Sequence, residues 1–260
     1  MAEVPWVTAA LRRDRTIVIC ALLGVVALSW LYLLGGAGMS MHEMGGMLMP
    51  MRKGPWTLGY AGIVLVMWAV MMAAMMLPSA APMLLLFTTI SRRNDERISA
   101  TSRTSYFGLG YIAVWASFSG AAVILQYGLE QLSLVSPMME TTSVVFASAV
   151  LIGAGIYQFT PLKRTCLRAC RSPLEFLTAH WRAGTPGAFR MGVHHGAYCL
   201  GCCWAMMLLL FVGGVMNLAW VGGIALYVLI EKVAPAGEWI SRGAGLVLVL
   251  WGMATALVIV

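Results

Sequence analysis

At 260 residues the chain has the length of one or two soluble domains, yet 60% of it is hydrophobic, only 10% is charged and its mean hydropathy is +0.84. That composition excludes a soluble globular class and describes a polytopic α-helical membrane protein. The formal charge of +7 comes from Lys and Arg gathered between apolar runs, so it reports topology rather than a nucleic-acid partner.

Residues 1–15 carry Arg12, Arg13 and Arg15 just before the first apolar run, which puts the N-terminus in the cytoplasm by the positive-inside rule. Span one is expected at 16–34; residues 17–34 are long for a signal segment and lack a small-residue cleavage site. Residues 37–56 then form an external loop with Met39, Met41, Met44, Met47, Met49 and Met51 beside His42 and Glu43. A loop has no core for methionines to fill, and clustered thioethers are soft ligands for Cu(I). The alternative is an apolar lid on the membrane surface.

Span two, at 57–90, is too long for one straight crossing. Met67, Met71 and Met75 recur every four residues with Met72 and Met76 beside them, a thioether row on one helical face. Pro78 and Pro82 follow, and each removes an N–H and disturbs the preceding turn, so this span is expected to be broken there. A broken helix in hydrocarbon needs protein or a cavity around it. Beside a methionine row it suggests a path for a soft ion; a Met-rich packing face with a kink is the alternative.

Arg92, Arg93, Arg97 and Arg103 mark a cytoplasmic loop. Span three is expected at 106–128, and Glu130 and Glu140 mark an external loop. Span four is expected at 143–160, with Gly153 and Gly155 allowing close helix contact. Residues 161–191 read as a basic cytoplasmic loop in which Cys166 and Cys170, a CxxxC pair, lie among Lys163, Arg164, Arg168 and Arg171. Nearby cations favour the thiolate, the form that binds metal or attacks disulfides. Spans five to seven are expected at 192–213, 215–231 and 243–260, which makes about seven with the C-terminus outside. Glu231 and Lys232 read as an interfacial pair that snorkels.

Span five carries the densest chemistry. On a helix at about 100° per residue, His195, Cys199, Cys202, Cys203 and Met206 fall within an arc of roughly 80–100°, while His194 and Tyr198 point elsewhere. Sulfur ligands with an imidazole suit Cu(I), with Zn(II) second. One helix cannot enclose a metal, so other segments must complete the site. Cysteine and methionine also pack well, which explains any one position but not the set. The six cysteines form no disulfide framework, and thiols on the cytoplasmic side stay reduced.

Three segments carry a family resemblance: Met67-Trp-Ala-Val-Met-Met-Ala-Ala-Met-Met-Leu-Pro-Ser79, Thr160-Pro-Leu-Lys-Arg-Thr-Cys-Leu-Arg-Ala-Cys-Arg-Ser-Pro173, and Gly192 through Gly201-Cys-Cys-Trp-Ala-Met-Met207. From about residue 57 onward the chain resembles a bacterial family of predicted metal-binding integral membrane proteins of unknown function, some labelled copper chaperones. The resemblance implies a membrane metal protein; the Met-rich outer loop lies outside it. The expected function is capture, passage or delivery of Cu(I) between the outer loop and an inner Cys/His site, in a bacterial inner membrane. Its expected partners are the lipid, the metal ion and a copper enzyme or soluble copper chaperone, without nucleic acid. No enzyme activity is expected. A membrane thiol-disulfide oxidoreductase built on Cys199-Leu-Gly-Cys202 and Cys166/Cys170, and a structural subunit, are the alternatives. A metalloprotease HExxH motif is absent, and Asp14 and Asp95 are the only aspartates.

Overall fold

The computed structural model describes residues 5–38, 41–44, 47–50, 56–94, 99–136 and 139–257; the side chains of 5–12, 41–44, 47–50 and 93–94 are outside that description. The described residues are mostly helical, with one short hairpin. Their order is α1 (Pro5–Leu34), β1 (Met41–Met44), β2 (Met47–Pro50), α2 (Leu58–Asn94), α3 (Ala100–Gln131), α4 (Val144–Tyr157), α5 (Pro161–Arg171), α6 (Pro173–His180), α7 (Gly184–Gly213), α8 (Leu218–Val233) and α9 (Gly237–Leu257). Three of the shorter helices, α4, α5 and α8, start on side-chain caps: Ser143 accepts from the Phe146 amide, Thr160 from Lys163 and Asn217 from Trp220, each at 3.2 Å.

Among the described residues, five helices (α1, α2, α3, α7 and α9) are long and apolar enough to cross a membrane; α4 and α5, bent by 64° at their junction, make up to six if taken as one broken span. The expectation of about seven differs because two of the expected spans fold short. α4 has 14 residues and α8 has 16, or about 21 and 24 Å of helix against about 30 Å of hydrocarbon. Large apolar side chains such as Leu23, Leu28, Leu31, Ile124 and Leu257 face outward while Gln126, Lys163 and Glu231 are buried. That distribution is consistent with a multi-pass membrane protein.

One sequence expectation changes and two gain detail. The stretch 37–56 contains an antiparallel hairpin that pairs His42 with Met49 and Met44 with Met47. α2 is one continuous helix with Pro78 and Pro82 inside it, not a span broken at those residues. A proline deletes only one helical bond, and two prolines four residues apart disturb one side of the helix. Hydroxyls of Ser79 and Tyr111 both donate to the Met76 carbonyl on this stretch, at 2.9 and 3.1 Å. Finally, 161–191, between the expected spans four and five, folds as α5, α6 and the first turns of α7, with Lys163, Cys166 and Leu167 buried.

Glycines set the two closest helix contacts. α3 lies on α7 because a Cβ on Gly110 would collide with the Phe189 carbonyl and one on Gly192 with the Phe107 carbonyl. α4 lies on α9 through Gly155, where a Cβ would come within 2.8 Å of the Gly245 carbonyl. Backbones approach this closely only where the side chain is missing. Gly153 has no atom within 4 Å of its would-be Cβ, so of the expected pair only Gly155 serves packing. α5 also rests on α7, and α2 contacts α1, α3 and α8.

Candidate functional site

α7 distributes its side chains as 3.6 residues per turn requires. His195, Cys199, Cys202, Cys203 and Met206 are all buried, while His194 is exposed. Other helices bring soft and polar groups to this face. From α5, Cys170 is close enough to Cys199 and Cys202 for their thiols to interact electrostatically, as they do with Cys203. Four thiols from two helices are therefore neighbours. Cys166 lies beside them: its Sγ is 2.7 Å from where a Cβ on Gly201 would be. The glycine of Cys199-Leu-Gly-Cys202 thus makes the space that the CxxxC helix fills.

From α2, Met76 Sδ lies 3.9 Å from Cys203 Sγ. Met67, Met71, Met72 and Met75 are at most 1% exposed, so the whole row faces the protein interior. Trp68 packs on Phe211 with ring centroids 5.4 Å apart. α2 and α7 therefore run antiparallel and touch at Trp68–Phe211 and Met76–Cys203. From Met67 to Met76 is about 13 Å along the helix axis. The methionine row and the cysteine face meet at one end of it.

Polar groups complete the neighbourhood. The Tyr111 hydroxyl on α3 is 3.0 Å from Cys199 Sγ. Lys232 on α8 donates to Cys199 Sγ at 2.9 Å and to Ser79 Oγ at 3.1 Å. A buried ammonium requires a counter-charge, and the groups it touches are a thiol and a hydroxyl rather than a carboxylate. His195 lies among the rings of Phe176, Tyr111 and Phe107 at 5.4, 5.8 and 6.0 Å. Its Nδ1 is buried without a hydrogen-bond partner, an orphaned acceptor or donor of the kind that native interiors rarely leave. Met206 belongs to an adjoining network. Its Sδ accepts from Gln158 Nε2 at 2.7 Å, and Gln158 also meets Ser241 and Tyr227.

As placed, no three His, Cys, Asp or Glu side chains among the described residues form a group that could hold a metal ion. The Cys202 and Cys203 thiols donate to the Cys199 carbonyl at 3.1 and 3.0 Å. One χ1 rotation would release each from that carbonyl. Met39 and Met51 of the Met-rich stretch lie outside the described residues, as do the side chains of Met41, His42, Met44, Met47 and Met49.

The sequence reading missed Lys232, Tyr111, Ser79, Lys163 and Glu231. Glu231 and Lys232 are not an interfacial pair: Glu231 is fully buried and Lys232 is 7% exposed. Adjacent helical residues diverge by about 100°, so the two serve different neighbours. Glu231 binds Lys163 Nζ of α5 at 2.8 Å with both side chains fully buried, and also accepts from the Tyr227 hydroxyl at 2.8 Å. The usable signal was the presence of two charges ending an apolar run, which by default marks a site. Ser79 and Tyr111 carry no signal of their own.

No curated protein and no solved structure matches the chain. The model of one family, PpoB2, described as copper chaperone, matches residues 65–255, which takes in the methionine row, both cysteine helices and Lys232. The chain belongs to this copper-chaperone family.

Proposed function

We propose that this protein is a membrane carrier for Cu(I), taking the ion along the methionine row of α2 to the thiols of α7 and α5. The observation that supports it most is the meeting of Met76 with Cys203 beside three further thiols. Thioethers bind Cu(I) weakly and stay neutral, and thiolates bind it tightly, so the row and the cluster form a gradient toward the cysteines. His195, Cys199, Cys202, Cys203, Cys166 and Cys170 supply the tight site, with Met67, Met71, Met72, Met75 and Met76 as the approach. Met206, its sulfur already bonded to Gln158, borders the site.

In the same proposal the chain crosses a bacterial inner membrane seven times with its N-terminus in the cytoplasm, α4 and α8 being short crossings. Met39, Met41, His42, Met44 and Met47 of the Met-rich stretch capture the ion outside, and a copper enzyme or soluble chaperone receives it. The protein is then a carrier and not an enzyme. The closeness of Cys170 to Cys199 and Cys202 equally favours a second reading, a thiol-disulfide oxidoreductase.

Metal analysis of anaerobically purified protein, wild type beside Cys199→Ser/Cys202→Ser/Cys203→Ser, tests the choice. Near-stoichiometric copper that the variant loses is the expected result. Zinc in place of copper overturns the choice of cargo. No metal in either sample, together with a reversible two-proton mass loss in the wild type, replaces the carrier by the oxidoreductase.

A further inference from the structure

Beyond the buried thiols, the same end of α7 carries a second set of ligand-type side chains that the carrier reading does not use. His180, the last residue of α6, and His194 of α7 stand with ring centroids 4.5 Å apart and planes crossed at 83°. His180 Nδ1 is 3.1 Å from the Phe176 carbonyl. A carbonyl only accepts, so Nδ1 carries the proton and Nε2 keeps its lone pair for another partner. This is the arrangement that metal-ligating histidines adopt: one nitrogen on a backbone carbonyl, the other on the ion. His194 is exposed, half-stacked on Tyr198 at 5.0 Å.

The pair is placed at a boundary. A cavity of about 350 Å³, lined by Thr165, Arg168, Glu175, Phe176, His180 and Tyr198 among others, opens beside it. Phe176 forms part of that cavity wall and also contacts His180, His194 and the buried His195, at 4.9, 5.9 and 5.4 Å. One ring therefore separates the enclosed histidine next to the thiols from the open pair.

We infer that His180 and His194 form a second, open metal site at which Cu(I) is held by two imidazoles before it leaves the protein. This rests on the Cu(I) carrier reading. With metal–nitrogen bonds of about 2.0–2.1 Å, two imidazoles on one ion bring their centroids to roughly 5–6.5 Å, the upper end for a linear pair, so the exposed His194 ring opens by about 1–2 Å to complete the site. Two ligands leave the ion coordinatively open. An incoming thiolate of an acceptor adds as a third ligand and the imidazoles dissociate; the ion stays Cu(I) throughout and no electron moves. Neutral, borderline imidazoles release Cu(I) more readily than thiolates do, which suits an exit position.

X-ray absorption of the full-length reduced protein in detergent, loaded anaerobically with one and then two equivalents of Cu(I), tests the inference. The first equivalent is expected to show sulfur neighbours with at most one imidazole, that of His195, and the second to add a sulfur-free ion with two imidazoles. His180→Gln/His194→Gln should weaken the second equivalent at least tenfold and leave the first in place. Should the double variant lose both, His194→Gln alone, altered only at an exposed side chain, gives the same reading on an intact fold. A second equivalent without imidazole scattering, or one unchanged in these variants, overturns the site. Imidazole binding with no sulfur-bound first equivalent would keep this site and overturn the buried one.

Discussion

The buried pair Lys163–Glu231 offers a perturbation whose magnitude follows from its surroundings. Nζ lies 2.8 and 2.9 Å from the two carboxylate oxygens, and both side chains are fully buried. Removing one partner leaves the other charge without water or a counter-ion. Breaking such a pair costs about 3–5 kcal/mol, while replacing both members by apolar residues is often neutral or stabilising. Lys163→Met should therefore lower stability by about 3–5 kcal/mol, or roughly 6–20 °C in Tm at the scale for chains of this size. Glu231→Leu should cost a similar amount, and the double variant Lys163→Met/Glu231→Leu should recover most of it. Thermal unfolding in a single detergent measures all three. The pair also ties α5 to α8, and α5 carries Cys170 to Cys199 and Cys202. Alkylation of Cys170 by a membrane-permeant maleimide should accelerate in Lys163→Met at temperatures where it remains folded. A Lys163→Met protein within about 1 kcal/mol of wild type, too small for a broken buried pair, refutes the reasoning, as does a double variant less stable than both singles.

Gly192→Ala should cost about 1–3 kcal/mol or more, because the new methyl meets the Phe107 backbone, which cannot turn aside; Gly108→Ala, with open space at its Cβ, should be neutral or gain up to about 1 kcal/mol of helix propensity. Unfolding curves of the two variants make the comparison. Met76→Leu keeps volume and should change stability by less than about 1.5 kcal/mol, but it should slow Cu(I) loading severalfold, whereas Met207→Leu should not; stopped-flow transfer from a Cu(I) chelate decides. Lys232→Met should weaken Cu(I) retention at least tenfold, about 1.4 kcal/mol, read by competition with a Cu(I) chelator, and unchanged retention would remove Lys232 from the site.

The membrane class was legible because hydrocarbon demands long apolar runs, and a window of twenty residues reports them. The span count was less so. Residues 143–160 and 215–231 are apolar enough, but α4 ends at Tyr157, where Thr160 and Pro161 begin a new helix, and α8 begins only at Leu218 behind the Asn217 cap. The face of α7 was legible because helical periodicity assigns it whatever its neighbours are. That Cys170 reaches it was open, since the CxxxC spacing fixes a helix face but says nothing of what that face meets. The contribution of α8 was hidden by chemistry that looks complete in sequence. Glu231 beside Lys232 reads as a self-satisfied pair, and only the fold shows each reaching to a different helix. Pro78 and Pro82 misled in the opposite way: they signal a break, and the helix continues through them.

Charge balance explains why a lysine belongs beside these sulfurs. In an interior sheltered from water, net charge is costly, so the proposed Cu(I) site must stay near neutral with its ion bound. Cu(I) held by two thiolates is an anion of charge one, and Lys232, 2.9 Å from Cys199 Sγ, supplies the single matching positive charge. Zn(II) on the same two thiolates is already neutral and would leave the ammonium without a counter-charge, because Glu231 is bound to Lys163. Zn(II) would need a third thiolate to reach the same balance. The weakening expected in Lys232→Met should therefore be larger for Cu(I) than for Zn(II). Measured side by side on that variant, an equal loss for both ions would mean that Lys232 acts by holding Ser79 and Cys199 in place and not by its charge.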